Sequence, residues 1–267
     1  MFETADYQSR FGGIARLYGR DSLKRFSASH VAVVGIGGVG AWIAEALARS
    51  GIGAITLMDL DDICVTNTNR QIHALATTIG QSKVETMAAR LRHINPALRV
   101  GEVKAFYGES KEDELFGSPF DVLADAIDSV RQKAHLLAAA KRRERLVVSV
   151  GGAAGRIDPC KIKVSDLSRT EGDRLLALVR KQLRAEYGFP RAGRGRFQIP
   201  CVYSDEVPRF PSADGSVCAR PQPGLPGGMN CDTGLGSATH VTATMGLVAA
   251  GRILDILTGP VDGPGRV

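Results

Sequence analysis

The run Gly35-Ile36-Gly37-Gly38-Val39-Gly40 is composed to let a backbone approach a phosphate. It lies between a short β-branched stretch, His30 to Val34, and an apolar helical one, Val39 to Ser50. A phosphate bound there would sit at a helix N-terminus, facing backbone N–H groups. Asp59 follows Gly40 by nineteen residues, at the end of a second strand-like stretch from Ala54. A carboxylate in that place accepts hydrogen bonds from ribose hydroxyls. These two features alone indicate a nucleotide, with a nicotinamide dinucleotide as the default ligand.

Further residues turn the chemistry away from hydride transfer. The loop after Asp59 carries Asp61, Asn67, Arg70 and Gln71, and Gly80-Gln81-Ser82-Lys83 opens the next helix with a lysine. Asp128 closes a fourth strand-like run, Asp121 to Asp128, where α/β sheets bind ligands at their carboxyl edge. Hydride transfer needs no such cations. Displacement of pyrophosphate from the α-phosphate of ATP does, because negative charge grows on the leaving group. Mg²⁺ takes one or two protein carboxylates plus phosphate oxygens, which suits Asp128. Each residue also has an ordinary reading: Arg70 as a surface ion pair, Lys83 as a helix-start lysine, Asp128 as a helix cap. Their gathering in one crevice favours the chemical one. His73 and His240 are expected to be structural histidines with satisfied partners.

The elements that must position these residues follow in order. Residues 1–29 are expected to form helical lead-in segments. Strand-like runs at 30–35, 54–59, 99–106, 121–128 and 146–150 alternate with helical stretches at 39–50, 83–94 and 130–145. Alternation of this kind predicts a parallel sheet with right-handed crossovers, and strands apolar on both faces predict helices covering both sides. A further strand over 156–164 and a basic helix over 174–187 follow. Residues 188–228 are rich in Gly, Pro and Arg, and a mobile functional loop is expected there. Gly234 to Gly251 holds no Asp, Glu, Lys or Arg, yet its Ser, Thr, His and glycines leave it only weakly apolar. A buried helix continuing to Leu257 is expected, not a membrane span.

With 267 residues, 44% hydrophobic and 23% charged, the chain has the composition of a soluble globular protein. Its net charge of +6 favours polyanionic partners. Arg180, Lys181, Arg184, Arg191, Arg194 and Arg196 cluster against Glu186, and Arg10, Arg16, Arg20, Lys24 and Arg25 against Asp21. Neither cluster shows the aromatic interleaving that marks a base-stacking platform, so the charge points to phosphate contact without base reading. The five cysteines form no Cys-x-x-Cys pair, which argues against structural zinc. The N-terminus lacks an apolar signal core, and a reducing, cytoplasmic setting is expected.

The stretches 35–40, 59–71 and 80–85 resemble the adenylation domain of ubiquitin-activating-type enzymes. Arg10-Phe11-Gly12-Gly13, Ala15-Arg16-Leu17-Tyr18-Gly19, Val65 to Leu75 and Asp125 to Val130 are more narrowly similar to the tRNA threonylcarbamoyladenosine dehydratases within that group. The resemblance covers nearly the whole chain. It implies one adenylation domain over 1–267, with an ATP-binding core at 30–150 and a substrate-side region at 151–267. The implied fold is α/β, a Rossmann-like doubly wound, mostly parallel sheet with C-terminal antiparallel strands and a final buried helix. The implied activity is ATP-dependent adenylation of a carboxylate on modified adenosine in tRNA, followed by ring closure. Gly35, Gly37, Gly38 and Gly40 would hold phosphate and adenosine, and Asp59 the ribose. Asn67, Arg70 and Lys83 would contact the triphosphate, with Asp61 and Gln71 in the same site, and Asp128 would hold Mg²⁺. Relatives draw an arginine from the partner subunit of a homodimer; Gly13 stands at that place here, leaving Arg10 or Arg16. Cys231 sits where related enzymes often keep a cysteine, so a catalytic or sulfur-relay thiol, with a sulfur-transfer protein as partner, stands beside a buried small side chain. Competing functions are activation of a small sulfur-carrier protein's C-terminal carboxylate, nicotinamide-dependent oxidoreduction, and non-catalytic nucleotide binding.

Overall fold

The computed structural model describes residues 4–222 and 235–259. Two short helices, α1 (Ala5–Tyr18) and α2 (Arg20–Ala28), lead into the alternating core. That core comprises β1 (His30–Val34), α3 (Gly40–Arg49), β2 (Ala54–Met58), α4 (Lys83–Ile94), β3 (Arg99–Val103), α5 (Glu112–Phe116), β4 (Val122–Asp125), α6 (Val130–Arg142) and β5 (Leu146–Val150). Beyond it come β6 (Ile162–Asp166), α7 (Arg174–Glu186), β7 (Pro200–Ser204), the small hairpin β8 (Phe210–Pro211) and β9 (Val217–Cys218), and α8 (Thr239–Thr258).

Seven strands form one sheet in the order β3-β2-β1-β4-β5-β7-β6. Every neighbouring pair is parallel except β6–β7. The inner strands β2, β1, β4, β5 and β7 are buried on both faces, as their apolar residues require, while the edge strands β3 and β6 are largely open. Along β1, Val31 and Val33 point into a core shared with α1–α4 and α8, while Ala32 and Val34 point into one shared with α6 and α7. Alternation of side chains along a strand makes this division. The strand order reverses between β1 and β4, so their carboxyl ends diverge and leave a crevice.

Two expectations change. The segment 188–228 is not a loop throughout: Pro200–Ser204 is a central strand, and Phe197 and Ile199 beside it are 1% exposed each. The surrounding Gly and Pro hid a strand of only five residues, fixed in place by pairing with β5 and β6. The strand expected at 156–164 begins later, at Ile162, because Asp158 caps a short 3-10 turn over Pro159–Lys161. The final helix is long and apolar enough to cross a membrane, but more than half of its most apolar window is buried inside the fold. It lies close on α3 because Gly246 has no side chain; a Cβ there would stand 2.7 Å from the Trp42 Cβ.

Candidate active site

A cleft of about 410 Å³ opens at the carboxyl edge of the sheet, at the β1/β4 divergence. Its floor is the Gly35–Gly40 turn. Gly35 has φ +90°, and a Cβ on it would meet the Ala126 carbonyl oxygen at 2.8 Å. A Cβ on Gly40 would collide with the Gly35 carbonyl. These two glycines make the turn possible. Gly37 faces open space instead, and Gly38 lies against Arg70, so this pair forms the surface a ligand would meet.

Asp59, just past β2, is 9% exposed. Its Oδ2 accepts from Ile36 N at 2.6 Å and its Oδ1 from Asp61 N at 2.9 Å. The carboxylate thus ties the glycine turn to the next loop while keeping lone pairs for a ligand. Burial pushes its pKa above the ordinary carboxylate range, and the charge of Lys83 draws it back. Lys83 enters the same wall, its Nζ 2.6 Å from Asp61 Oδ2.

Arg70 is 8% exposed, and its Nη1 donates to the carbonyl of Thr66 at 2.8 Å and to Asn69 Oδ1 at 3.0 Å. Among the described residues no carboxylate pairs with it. Its backbone carbonyl accepts from Trp42 Nε1 and Thr242 Oγ1, which pins the loop to α3 and α8. Gln71, beside it, leaves a buried Oε1 with no partner among the described residues. A nearly buried guanidinium without an acid and an unmet acceptor, on the walls of a glycine-floored cleft, are matched to an anion that also carries donors.

Asp128 stands exposed at the mouth, on the loop after β4. That loop is clamped from behind. Asp125 is fully buried, its Oδ2 2.7 Å from both Lys133 Nζ and Ser149 Oγ, and Lys133 Nζ also donates to the Ile127 carbonyl at 3.0 Å.

The structure therefore gathers Gly35, Gly37, Gly38, Asp59, Asp61, Arg70, Gln71, Lys83 and Asp128 around one cleft. Asn67 does not line it: its Oδ1 accepts from Cys64 N at 3.1 Å and caps the 3-10 turn that carries Arg70. Arg16 lies exposed on α1, outside the cleft lining, and Arg10 pairs with Asp6 at 2.8 Å. Cys231 lies outside the described residues. His240 has its partner, Ile157 O at 2.9 Å. His73 is corrected: it is 1% exposed, and neither ring nitrogen has a partner among the described residues.

Several lining residues carry no motif. Phe106 and Tyr107 follow β3, and Phe106 is 58% exposed, an aromatic at the sheet's carboxyl edge that could have been noticed. Gly152, Leu175 and Thr242 arrive from distant segments, and Lys133, behind the lining, is fully buried against Asp125.

The ThiF family pattern matches residues 12–264. The chain is 48% identical over 249 residues to the tRNA threonylcarbamoyladenosine dehydratase of Escherichia coli (strain K12), covering 93% of each. It is 45% identical over 257 residues to the enzyme of the same name from Haemophilus influenzae, covering 96% of each. A crystal structure of the E. coli tRNA N6-threonylcarbamoyladenosine dehydratase in complex with ATP superimposes with a TM-score of 0.84, at 44% identity, over 95% of this chain and 96% of that one. The matched span runs through every strand that shapes the cleft and every loop that lines it, and on that ground the chain belongs to the ThiF family.

Proposed function

We propose that this protein catalyses the ATP-dependent dehydration of threonylcarbamoyladenosine in tRNA. One observation carries the reading more than any other: Arg70 is almost wholly buried beside the glycine floor, without a carboxylate partner among the described residues. A cation in that state is poised for phosphate.

In this scheme the nucleoside's carboxylate oxygen attacks the α-phosphate of ATP, and pyrophosphate leaves. An atom of the same nucleoside then attacks the activated carbonyl and closes a ring. AMP departs with the carboxylate oxygen, and the nucleoside loses the elements of one water. Tethering of the attacking atom replaces a bimolecular step by an intramolecular one. Gly37 and Gly38 receive the phosphates, and Asp59 the ribose. Arg70 and Lys83 stabilise charge on the departing pyrophosphate. Asp61 holds Lys83 until the triphosphate competes for it. Gln71 Oε1 accepts a hydrogen bond from a ligand donor. Asp128 is a single exposed carboxylate at the mouth, which fits Mg²⁺ held largely by phosphate oxygens and water; that ion would screen the triphosphate. A second copy of the chain would bring its own Arg16 towards the cleft, and the reaction belongs in the cytoplasm.

Modified tRNA should elicit AMP release and exchange of labelled pyrophosphate into ATP. Arg70→Ala should lower exchange by about 10²–10³-fold with an unchanged circular dichroism spectrum. Full exchange in that variant would remove Arg70 from the chemistry and with it the main support for the reading.

A further inference from the structure

The excess positive charge of the chain is concentrated in one place. Residues 174–196 hold seven basic side chains and one acid, Glu186, which equals the net +6 of all 267 residues. The remainder of the chain is therefore balanced. On α7 the buried side is Leu175, Leu176, Val179 and Leu183. Arg174, Lys181 and Arg184 fall at i, i+7 and i+10 along the opposite flank, one stripe at helical spacing. The chain then turns back through Arg191-Ala192-Gly193-Arg194-Gly195-Arg196, all exposed, with Arg194 N bonded to Arg191 O at 3.0 Å.

Several basic side chains elsewhere on the surface meet acids. Arg142 and Arg143 share Glu112, Arg92 meets Glu102, and Lys163 meets Asp205. Among the described residues no carboxylate lies within ion-pair distance of Arg174, Lys181, Arg184, Arg191, Arg194 or Arg196. Arg184 is held in place: its guanidinium lies 5.2 Å from the Phe197 ring centroid and its Nε donates to Pro190 O. Glu186, the one acid in the segment, is engaged by Gln182 at 2.9 Å.

The stripe begins at the cleft. Leu175 lines it, and the N-cap Asp173 binds Gly152 N, on the cleft wall, at 2.9 Å. From there α7 runs thirteen residues, a length of about 20 Å. We propose that α7 and the 191–196 turn form the docking face for an RNA backbone, guiding a polynucleotide whose modified base enters the cleft. The proposal rests on the tRNA-directed reading above. The face meets phosphates and reads no bases: Phe189 is buried, and Tyr187, half-buried at the end of α7, packs edge-on to His135 at 6.3 Å.

The test is filter binding of an unmodified tRNA transcript across a salt series, using the full chain. For R191Q/R194Q/R196Q the dissociation constant should rise about 10–100-fold near physiological salt, and the slope of log K against log salt should flatten by about two to three. The charge-keeping triple R191K/R194K/R196K should bind within about threefold of the unaltered protein. ATP binding should be the same in all three proteins, which also reports intact folding. Unaltered affinity and slope in the glutamine triple would overturn the docking face, even with AMP release from modified tRNA intact. Loss of RNA binding through this face in a protein that never releases AMP would support the face and sink the reaction instead. Binding to vesicles containing phosphatidylserine, lost in the glutamine triple while RNA binding persists, would assign the face to a membrane and overturn the proposal.

Discussion

Two lysines end on aspartates at nearly the same distance, Lys83 on Asp61 at 2.6 Å and Lys133 on Asp125 at 2.7 Å. Their settings differ. Lys133 and Asp125 are both sealed at 0% exposure, with Ser149 Oγ donating to the same carboxylate oxygen and Ile127 N to the other. Asp61 is 49% exposed, and Lys83 lines a cleft. A sealed pair repays its desolvation only while both partners remain, whereas an open pair can exchange its acid for another anion at little cost. The first fixes the loop that presents Asp128; the second leaves an ammonium that an anion entering the cleft could take over. Ion-pair distance alone does not separate a strut from a ligand group, and solvent access does.

The sharpest way to break that contrast is to remove each lysine. Lys133→Ala should cost about 3–5 kcal/mol of stability, because Asp125 is left buried and charged. Urea unfolding would measure it, and a loss below about 1 kcal/mol would show the pair to be no strut. His73 tests a third buried group, one near Lys83 and Arg90. Burial first, then those two charges, push it down to about 4. The folded state therefore keeps His73 neutral, and the stability it contributes is complete above pH 6.5 and lost as pH falls towards 4. The shift corresponds to up to about 3 kcal/mol. Asp59, raised above its ordinary range, works in the opposite sense, stability falling as pH rises through its own window. His73→Leu should remove only the histidine's part, so its urea midpoint should change less than that of the unaltered protein between pH 7 and pH 4.5; equal changes would show that His73 does not govern that slope. Lys83→Ala should change stability by less than about 1 kcal/mol yet lower pyrophosphate exchange about 100-fold. A large loss of stability with normal exchange would place Lys83 beside Lys133 as a strut.

The first half of the fold was legible because its signals are local. Glycines at 35 and 40, an acid after β2 and β-branched runs between helical ones need no distant partner to be recognised. The ends of these elements shifted by a few residues, as at β3, which stops at Val103 and frees Phe106 to line the cleft. The second half was harder. Pro200–Ser204 becomes a strand through pairing with β5 and β6, interactions that five residues among Gly, Pro and Arg do not announce. The family resemblance implied a triphosphate contact for Asn67; its side chain turns inward to cap the 3-10 turn. His73 looked like an ordinary core histidine, and among the described residues no partner reaches either nitrogen.

By itself the sequence determined a parallel sheet, a glycine turn after its first strand, and a set of cations and carboxylates suited to ATP, since these follow from residue type and spacing along the chain. The tertiary structure decided which charges are sealed and which are open. It set Arg70 against Gly38 and Thr242, Leu175 on the cleft wall, and Lys133 under Asp128's loop. Burial and electrostatic pairing depend on neighbours remote in sequence, and only the folded chain brings those together.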